Sequence, residues 1–482
     1  MRSAVTLGVF LAAVYLLTAA GHVFSFDGSC RMELARSLVE RHDVQVPCGL
    51  IQLPDGRRVA HWLPLQSLVA VPAVAAVDLA ARAVGVGADR AVNAAFSLQN
   101  QLFTALCAAL IAALLVRLGY RERTALLTGL AFGLCSYAWP VSKDSFEGPL
   151  EAAVLLGYAL AMLTERPALG ALAWAMLLLI KQPCAALLPG LALLAKDRRG
   201  LAWLAGGALL GGAGNVAYNL ARFGDPFETG SRVIAEVCAK SSSVGALFSH
   251  SVAAGVFGYT VSLQRGLLWF APLTAVAVAG WRGFAQRAPR LAAALALALV
   301  PEALVYCAFI GWHGAWCWGP RYVFGQAAAL TLPLAEVIER GGRMSKRAVA
   351  AVAIAGFLAQ LPAVAISYHR AYYRALAAHE DFTALGWAQP ARQFAEAREV
   401  LCEPTPPDLV FHAPDRLPPL ERIHREATLD LPDFWWVYAG RAGVPLPAVA
   451  ALLLVPLAAA LASGAKLLAA LARGADGDEG ES

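Results

Sequence analysis

The chain has 482 residues, of which 59% are hydrophobic and only 15% are Asp, Glu, Lys or Arg. Mean hydropathy is +0.57, and Leu-, Ala- and Val-rich windows of roughly 15–20 residues match the hydrocarbon thickness of a bilayer, which excludes an ordinary soluble enzyme and a disordered or collagen-like chain. The net charge of +5, from 39 basic and 34 acidic residues, is small and scattered and gives no reason to expect a nucleic-acid partner.

The sequence therefore predicts an all-α polytopic membrane protein. The first apolar run, Ala4 to Ala20, follows Arg2. It reads as an uncleaved first helix over 3–21 with a cytoplasmic N-terminus. A loop from His22 to His61 carries the stretch CRMELARSLVERH, which reads as an amphipathic helix near the interface. Further apolar segments fall at 62–83, 92–116, 124–141, 149–163, 168–180, 183–195, 201–219, 266–281, 291–310, 323–338, 347–366 and 443–466. This gives about 11–13 transmembrane segments.

The basic segments RLGYRER, KDRRG, RGFAQRAPR and ERGGRMSKR mark the cytoplasmic side. Two apolar segments, 62–83 and 92–116, lie between the first outer loop and RLGYRER, where an odd number of crossings is needed. Segment 62–83, with Pro72 and Asp78, is read as dipping into the membrane and returning, or as lying along its surface. Segments 168–180 and 183–195 are each about 20 Å of helix. They are divided by Lys181-Gln182-Pro183 and read as a broken hairpin buried among other helices.

This arithmetic leaves outer regions at 22–91, 142–148, 220–265, 311–322 and 367–442. Residues 1–366 form the helical module. Residues 367–442, with the Pro-rich CEPTPPDLVFHAPDRLPPLERIH, read as a small extracytoplasmic cap or an extended arm, and 443–482 as a last helix with a solvated tail. Nine cysteines show no metal-ligand spacing. Most pack in apolar runs, but Cys30 and Cys48 share the first outer loop, where a disulfide is open to them.

Polar residues gather at the outer helix ends. Asp27 follows the first span in FSFDGSC. A carboxylate at the water–lipid boundary suits a general base on a hydroxyl; the plain alternative is a helix N-cap. Gly28 beside it allows a sharp turn or close approach to a ligand. The segment WPVSKDSFEGPLE holds Lys143, Asp144, Glu147 and Glu151. Lys143 suits an anionic phosphate, or else a salt link to one of these acids; Glu151, inside a span, tends to line a polar cavity. The segment IGWHGAWCWGPRY crowds Trp312, His313, Trp316, Trp318, Arg321 and Tyr322 between two spans. Part of it is an aromatic belt, but Arg321 at the mouth of the next helix suits bidentate phosphate contact, and the rings suit a sugar or an isoprenoid. Arg265 would add positive potential. Lys181 either snorkels or points into a polar cavity. Neither HExxH, GxSxG nor a Walker motif is present.

The run FDGSCRMELARSLVERHDVQVP, then DGRRVAHWLPLQSLVAVP, WPVSKDSFEGPL, LLIKQPCAALLPG, NLARFGDPFETG, RGLLWFAP and WHGAWCWGPRY, spans about residues 1–335. In order and spacing it resembles the polytopic GT-C glycosyltransferases that use a lipid-phosphate-linked sugar. It is similar to protein O-mannosyltransferases, to the lipid A aminoarabinose transferase and to bacterial relatives of both. The resemblance implies a GT-C-like helical bundle in the bacterial inner membrane, and an inverting sugar transfer on its extracytoplasmic side. It assigns Asp27 to the acceptor and Arg321 to the donor phosphate. The second family acid falls on Asp144 or Glu147. Here the chain departs from the pattern: Gly28 replaces a Glu common in the mannosyltransferases, and Gly148 stands where relatives carry Glu.

On this reading a polyprenyl-phosphate sugar is the donor, its tail lying between helices among membrane lipids. Arg321, with Lys143 or Arg265, holds the phosphate and stabilises the leaving group. Asp27 deprotonates the hydroxyl of a lipid, glycan or protein acceptor. His313, Trp316, Trp318 and Tyr322 line the substrate site. No cofactor is required; a divalent metal is compatible with a lipid monophosphate donor but not demanded by it. Asp27 and Arg321 must then face one vestibule. The competing readings are a lipid or sugar transporter or flippase, whose functional charges would spread across the midplane, and an assembly subunit that contacts a partner through 367–442.

Overall fold

The computed structural model describes residues 1–476 except 24, 84, 86 and 403–430. The described chain is all-α, apart from a two-stranded antiparallel ribbon that pairs Ile51 with Val59 and Gln52 with Arg58. Among the described residues, six helices are long and apolar enough to cross a membrane: Leu65–Ala83, Asp89–Arg117, Arg198–Phe223, Pro289–Ala308, Arg343–Ala365 and Leu446–Arg473. Four shorter apolar helices, Arg2–Leu17, Gly148–Leu163, Pro167–Ile180 and Gln182–Leu194, accompany them. This is a polytopic membrane architecture.

Packing follows from which faces are smooth enough for close contact. The first helix lies between Gln99–Arg117 and the last helix, and Gln99–Arg117 packs in turn on Gly148–Leu163. Arg198–Phe223 lies along Pro167–Ile180. Gly207 allows this: a Cβ there would sit 2.3 Å from the carbonyl oxygen of Ala171. Membrane helices associate through such small-residue seams, because lipid gives apolar side chains no reason to hide. Leu209, Leu210, Leu452 and Val455 accordingly point outward.

Three of the basic segments contact one another, and one of them also reaches the residues just before KDRRG. Arg287 pairs with Glu336 at 3.2 Å and Glu339 at 3.0 Å. The Arg121 amide donates to Glu339, and Arg290 donates to the carbonyls of Leu193 and Ala195.

Several sequence expectations change in detail. The first helix stops at Leu17. Segment 62–83 is one continuous 19-residue helix through Pro72, so it does not dip and return. Pro72 removes one N–H from the ladder, and the helix runs on to either side of it. Segment 323–338 is two short helices, Phe324–Leu330 and Leu334–Arg340, parted before Pro333. The loop region 220–265 contains helices Ser231–Ala239 and Val252–Thr260. In the helix Phe26–Glu40, Cys30, Arg31, Leu34 and Ala35 are all buried against the rest of the chain.

The segment 367–442 contributes helices His369–Ala377, Gln389–Cys402 and Trp435–Arg441; most of its Pro-rich stretch lies outside the described residues. The first two are cross-linked by Arg370 to Glu396 and Glu399, both at 2.6 Å.

Candidate active site

The helix Phe26–Glu40 starts where Ser25 caps it, its hydroxyl accepting from the Gly28 amide at 3.0 Å. Ser25, not Asp27, is thus the N-cap, and Asp27 stands in the first turn with its carboxylate free for other work. Gly28 packs against protein. A Cβ there would come within 2.8 Å of both Ser145 and Val23, so the missing side chain lets the 142–147 turn lie directly against this helix. That contact brings Glu147 beside Arg31, which pair at 2.6 Å.

Arg321 begins the 3-10 turn that follows Gly319 and Pro320. Its guanidinium Nη1 lies 2.9 Å from Asp27 Oδ2, and its Nη2 donates to the Tyr322 hydroxyl at 2.9 Å. The Phe146 ring supports it from one face, 4.0 Å from guanidinium carbon to ring centroid. Tyr322 stacks flat on Tyr306, ring centroids 5.0 Å apart. Residues almost 300 positions apart in sequence therefore form one ion pair, at the wall of a cavity of about 230 Å³.

That cavity joins a charged side to an apolar side. Asp27, Glu147, Lys181 and Arg321 supply the charges, with His61 and Trp62 beside them. Ile234, Leu247, Phe248 and Phe309 line the other side. Clefts that combine apolar walls with a few convergent polar groups are where small ligands bind.

The electrostatics of the two acids differ. Burial pushes Glu147 up, but Arg31, Lys181 and Arg321 outweigh it and hold the carboxyl at about 2. Glu147 is a fixed negative charge and a weak base. Burial pushes Asp144 up to about 7, only partly opposed by the Tyr368 hydroxyl that it accepts from and by Arg321. Asp144 is 1% exposed and does not line the cavity. Burial also drives His61 and His313 down to about 4, so both rings are neutral near pH 7.

The sign of the Glu147 effect gives a measurable result. Its folded pKa lies below the ordinary 4.5. The stability it contributes is thus complete above pH 4.5 and is lost as pH falls toward about 2, on the order of 3 kcal/mol. We expect melting temperatures in detergent to fall across that window. Arg31→Met should melt lower at pH 7 and show a clearly flatter acid limb; an unchanged limb would remove Arg31 as the cause.

The remaining sequence candidates are placed elsewhere. Lys143 pairs with Asp433 at 2.7 Å and donates to the carbonyls of Val364 and Asp433, anchoring the return of the 367–442 segment. Arg265 is fully buried. It donates to the carbonyls of His313 and Ala315, to Gln389 and to the Tyr372 hydroxyl, clamping the Trp-rich turn onto the outer helices. Trp316 stacks on Tyr372, and Trp318 donates to Gln360 at 2.9 Å. His313 accepts the Ala315 amide at 3.0 Å. Of the polar candidates, the structure gathers Asp27, Glu147, Lys181, Arg321 and Tyr322 around the cavity. Lys143, Asp144, Arg265, His313, Trp316 and Trp318 lie outside its lining.

Two lining residues, Trp62 and Tyr306, carry no separate signal in sequence, while His61 belongs to the polar set of the first outer region. His61 and Trp62 reach the cavity because Arg222, in the run NLARFGDPFETG, holds the end of their loop, donating to the Ala60 carbonyl at 2.7 Å. Tyr306 carries no signal beyond its position near a helix end. Cys30 and Cys48 lie side by side, Sγ to Sγ 2.6 Å, in a small core with Leu34, Val46 and Tyr218.

No family model matches this chain, and no curated protein matches it. Among solved structures, ArnT from Cupriavidus metallidurans in the apo state is similar in overall course, with a TM-score of 0.48 and 16% sequence identity. The alignment covers 98% of this chain and 74% of that one. The likeness is distant.

Proposed function

We propose that this chain is a membrane glycosyltransferase of the GT-C kind, moving a sugar from a polyprenyl-phosphate carrier to an acceptor hydroxyl with inversion. The observation that carries the reading is the Asp27–Arg321 pair at 2.9 Å on the cavity wall. It joins a base to a phosphate ligand in one place. An incoming phosphate competes with Asp27 for the guanidinium, and bidentate Arg–phosphate contact is the stronger arrangement. Donor binding then releases the carboxylate at the moment when a base is needed.

Asp27 takes the acceptor O–H proton while the hydroxyl oxygen attacks the anomeric carbon. The bond from that carbon to the phosphate oxygen breaks on the opposite face, and polyprenyl phosphate leaves as a dianion. Inversion needs one base opposite the leaving group. Because the leaving group is already a phosphate, no separate acid is required. Arg321 stabilises the charge that grows on it. Glu147, fixed as a carboxylate by Arg31, orients the acceptor through its hydroxyls. The apolar wall at Leu247, Phe248 and Phe309 takes the first isoprene units.

One observation favours a transporter instead: Lys181, Glu151 and Glu302 bring charge into the bundle interior. The discriminating experiment uses the full chain in liposomes with radiolabelled polyprenyl-phosphate sugars and envelope extracts as acceptors. Transfer predicts glycosylated product with stoichiometric release of polyprenyl phosphate. Label that crosses the bilayer still attached to its lipid would replace this reading with the transporter.

A further inference from the structure

Beneath the cavity lies a group of buried side chains with no place in the mechanism so far. Glu151 and Glu302 are both 0% exposed. Their carboxylate oxygens and the Cys184 sulfur all lie within 4.8 Å of one another. Gln326 donates to Glu302 at 2.7 Å. Lys181 forms an ion pair with Glu151, and its ammonium sits 4.8 Å from the Tyr306 ring centroid. Lys181 is an extended residue (φ −162°, ψ 148°) between the helix Pro167–Ile180 and the 3-10 turn Gln182–Leu187. The break in the helix is what turns its side chain toward these acids and the cavity.

The charge count does not close. Two fully buried carboxylates face one ammonium, and carboxylates that share such a site cannot both ionise. One oxygen of Glu302, the amide oxygen of Gln326 and the Tyr306 hydroxyl have no hydrogen-bond partner among the described residues. A proton held between the two acids closes the count. It leaves one carboxylate for Lys181, and an ammonium with three N–H donors that also reaches the cavity wall.

We infer that Lys181 is a second phosphate ligand of the cavity, beside Arg321, and that Glu151 and Glu302 position it by sharing a single proton. The inference rests on the reading of the cavity as a lipid-phosphate site. The sugar phosphodiester then meets two cations from different helices. Only one of them, Arg321, is paired with the base. Lys181 can engage the phosphate without disturbing Asp27, so it anchors the donor before Arg321 changes partner.

The test measures binding, not transfer. Farnesyl phosphate is titrated into the full wild-type chain in detergent, following tryptophan fluorescence, with farnesol as the neutral control. K181Q should weaken farnesyl phosphate binding about 10–100-fold, the range for losing a charge-assisted contact. It should leave farnesol unchanged, and K181R should recover most of the loss. Infrared spectra of the wild-type protein should show carboxylic-acid carbonyl absorption that shifts in heavy water and loses one component in E302Q. Equal farnesyl phosphate affinity in K181Q and wild type would overturn the ligand role while leaving the transferase reading in place. A stoichiometric divalent metal in the purified protein, or no acid component lost in E302Q, would overturn the shared proton. Failure of the wild-type chain to bind farnesyl phosphate at all would remove the lipid-phosphate reading and this inference with it.

Discussion

Asp27→Asn is expected to lower the single-turnover rate of sugar transfer by roughly 10²–10⁴-fold, the range for losing a positioned general base, with the protein folded and donor still bound. The separation of effects comes from the geometry. Asn has the size of Asp, and its amide oxygen still accepts the Arg321 N–H that lies 2.9 Å from Asp27 Oδ2. Arg321 also retains the Tyr322 hydroxyl and the Phe146 ring. The Asp27 side chain is 21% exposed and that of Arg321 is 11% exposed, so the rim of the cavity lets water moderate the loss of charge. Donor affinity should hold or tighten, because the phosphate no longer competes with a carboxylate for the guanidinium. A variant that transfers sugar at the wild-type rate would show that the base is elsewhere.

Glu147 is the obvious substitute, and its surroundings argue against it. Its carboxylate is held at about 2 by Arg31, Lys181 and Arg321 despite burial, and a carboxylate stabilised that strongly takes a proton poorly. Asp144, pushed up to about 7 by burial, has the better basicity, but it is enclosed against Tyr368 and away from the cavity.

Much of this arrangement can be read from sequence, and the part that cannot has a physical reason. Apolar length marks the helices because a bilayer imposes it. The break at Lys181-Gln182-Pro183 is visible because Pro lacks an amide donor. Asp27 and Arg321 stand out because an acid and an arginine at helix mouths are rare against so apolar a background. What fails is partner assignment. Lys143 and Arg265 look the same as Arg321 in sequence, a cation just outside an apolar run. Their partners, Asp433 for one and Gln389 with Tyr372 for the other, lie more than 100 residues downstream. Whether a cation meets a ligand or a distant loop depends on tertiary closure, which local pattern does not encode. Glu302 gives little signal for a related reason. A single acid in a 20-residue apolar helix is a weak irregularity until Glu151 is placed beside it.

Arg321→Gln should reduce kcat/KM for the donor by about 10²–10³-fold, comparable to removing a donor that stabilises a developing oxyanion. It should do so through both parameters. The ground-state phosphodiester carries one negative charge and the departing phosphate two, so a fixed cation is worth more as the bond breaks than before; kcat falls along with affinity. Lys181, on the same cavity, keeps part of the binding, so KM should rise less than kcat falls. Arg321→Lys retains charge but loses the planar fork that matches phosphate, and should fall between wild type and Arg321→Gln. The double variant Asp27→Asn with Arg321→Gln decides whether the two residues act as a coupled pair. If donor binding transfers Arg321 from Asp27 to the phosphate, the two losses cannot be independent, and the double variant should lose clearly less than the product of the single losses. Multiplicative losses would mean that the base and the cation act at separate stages, and that the resting ion pair has no part in timing the release of the carboxylate.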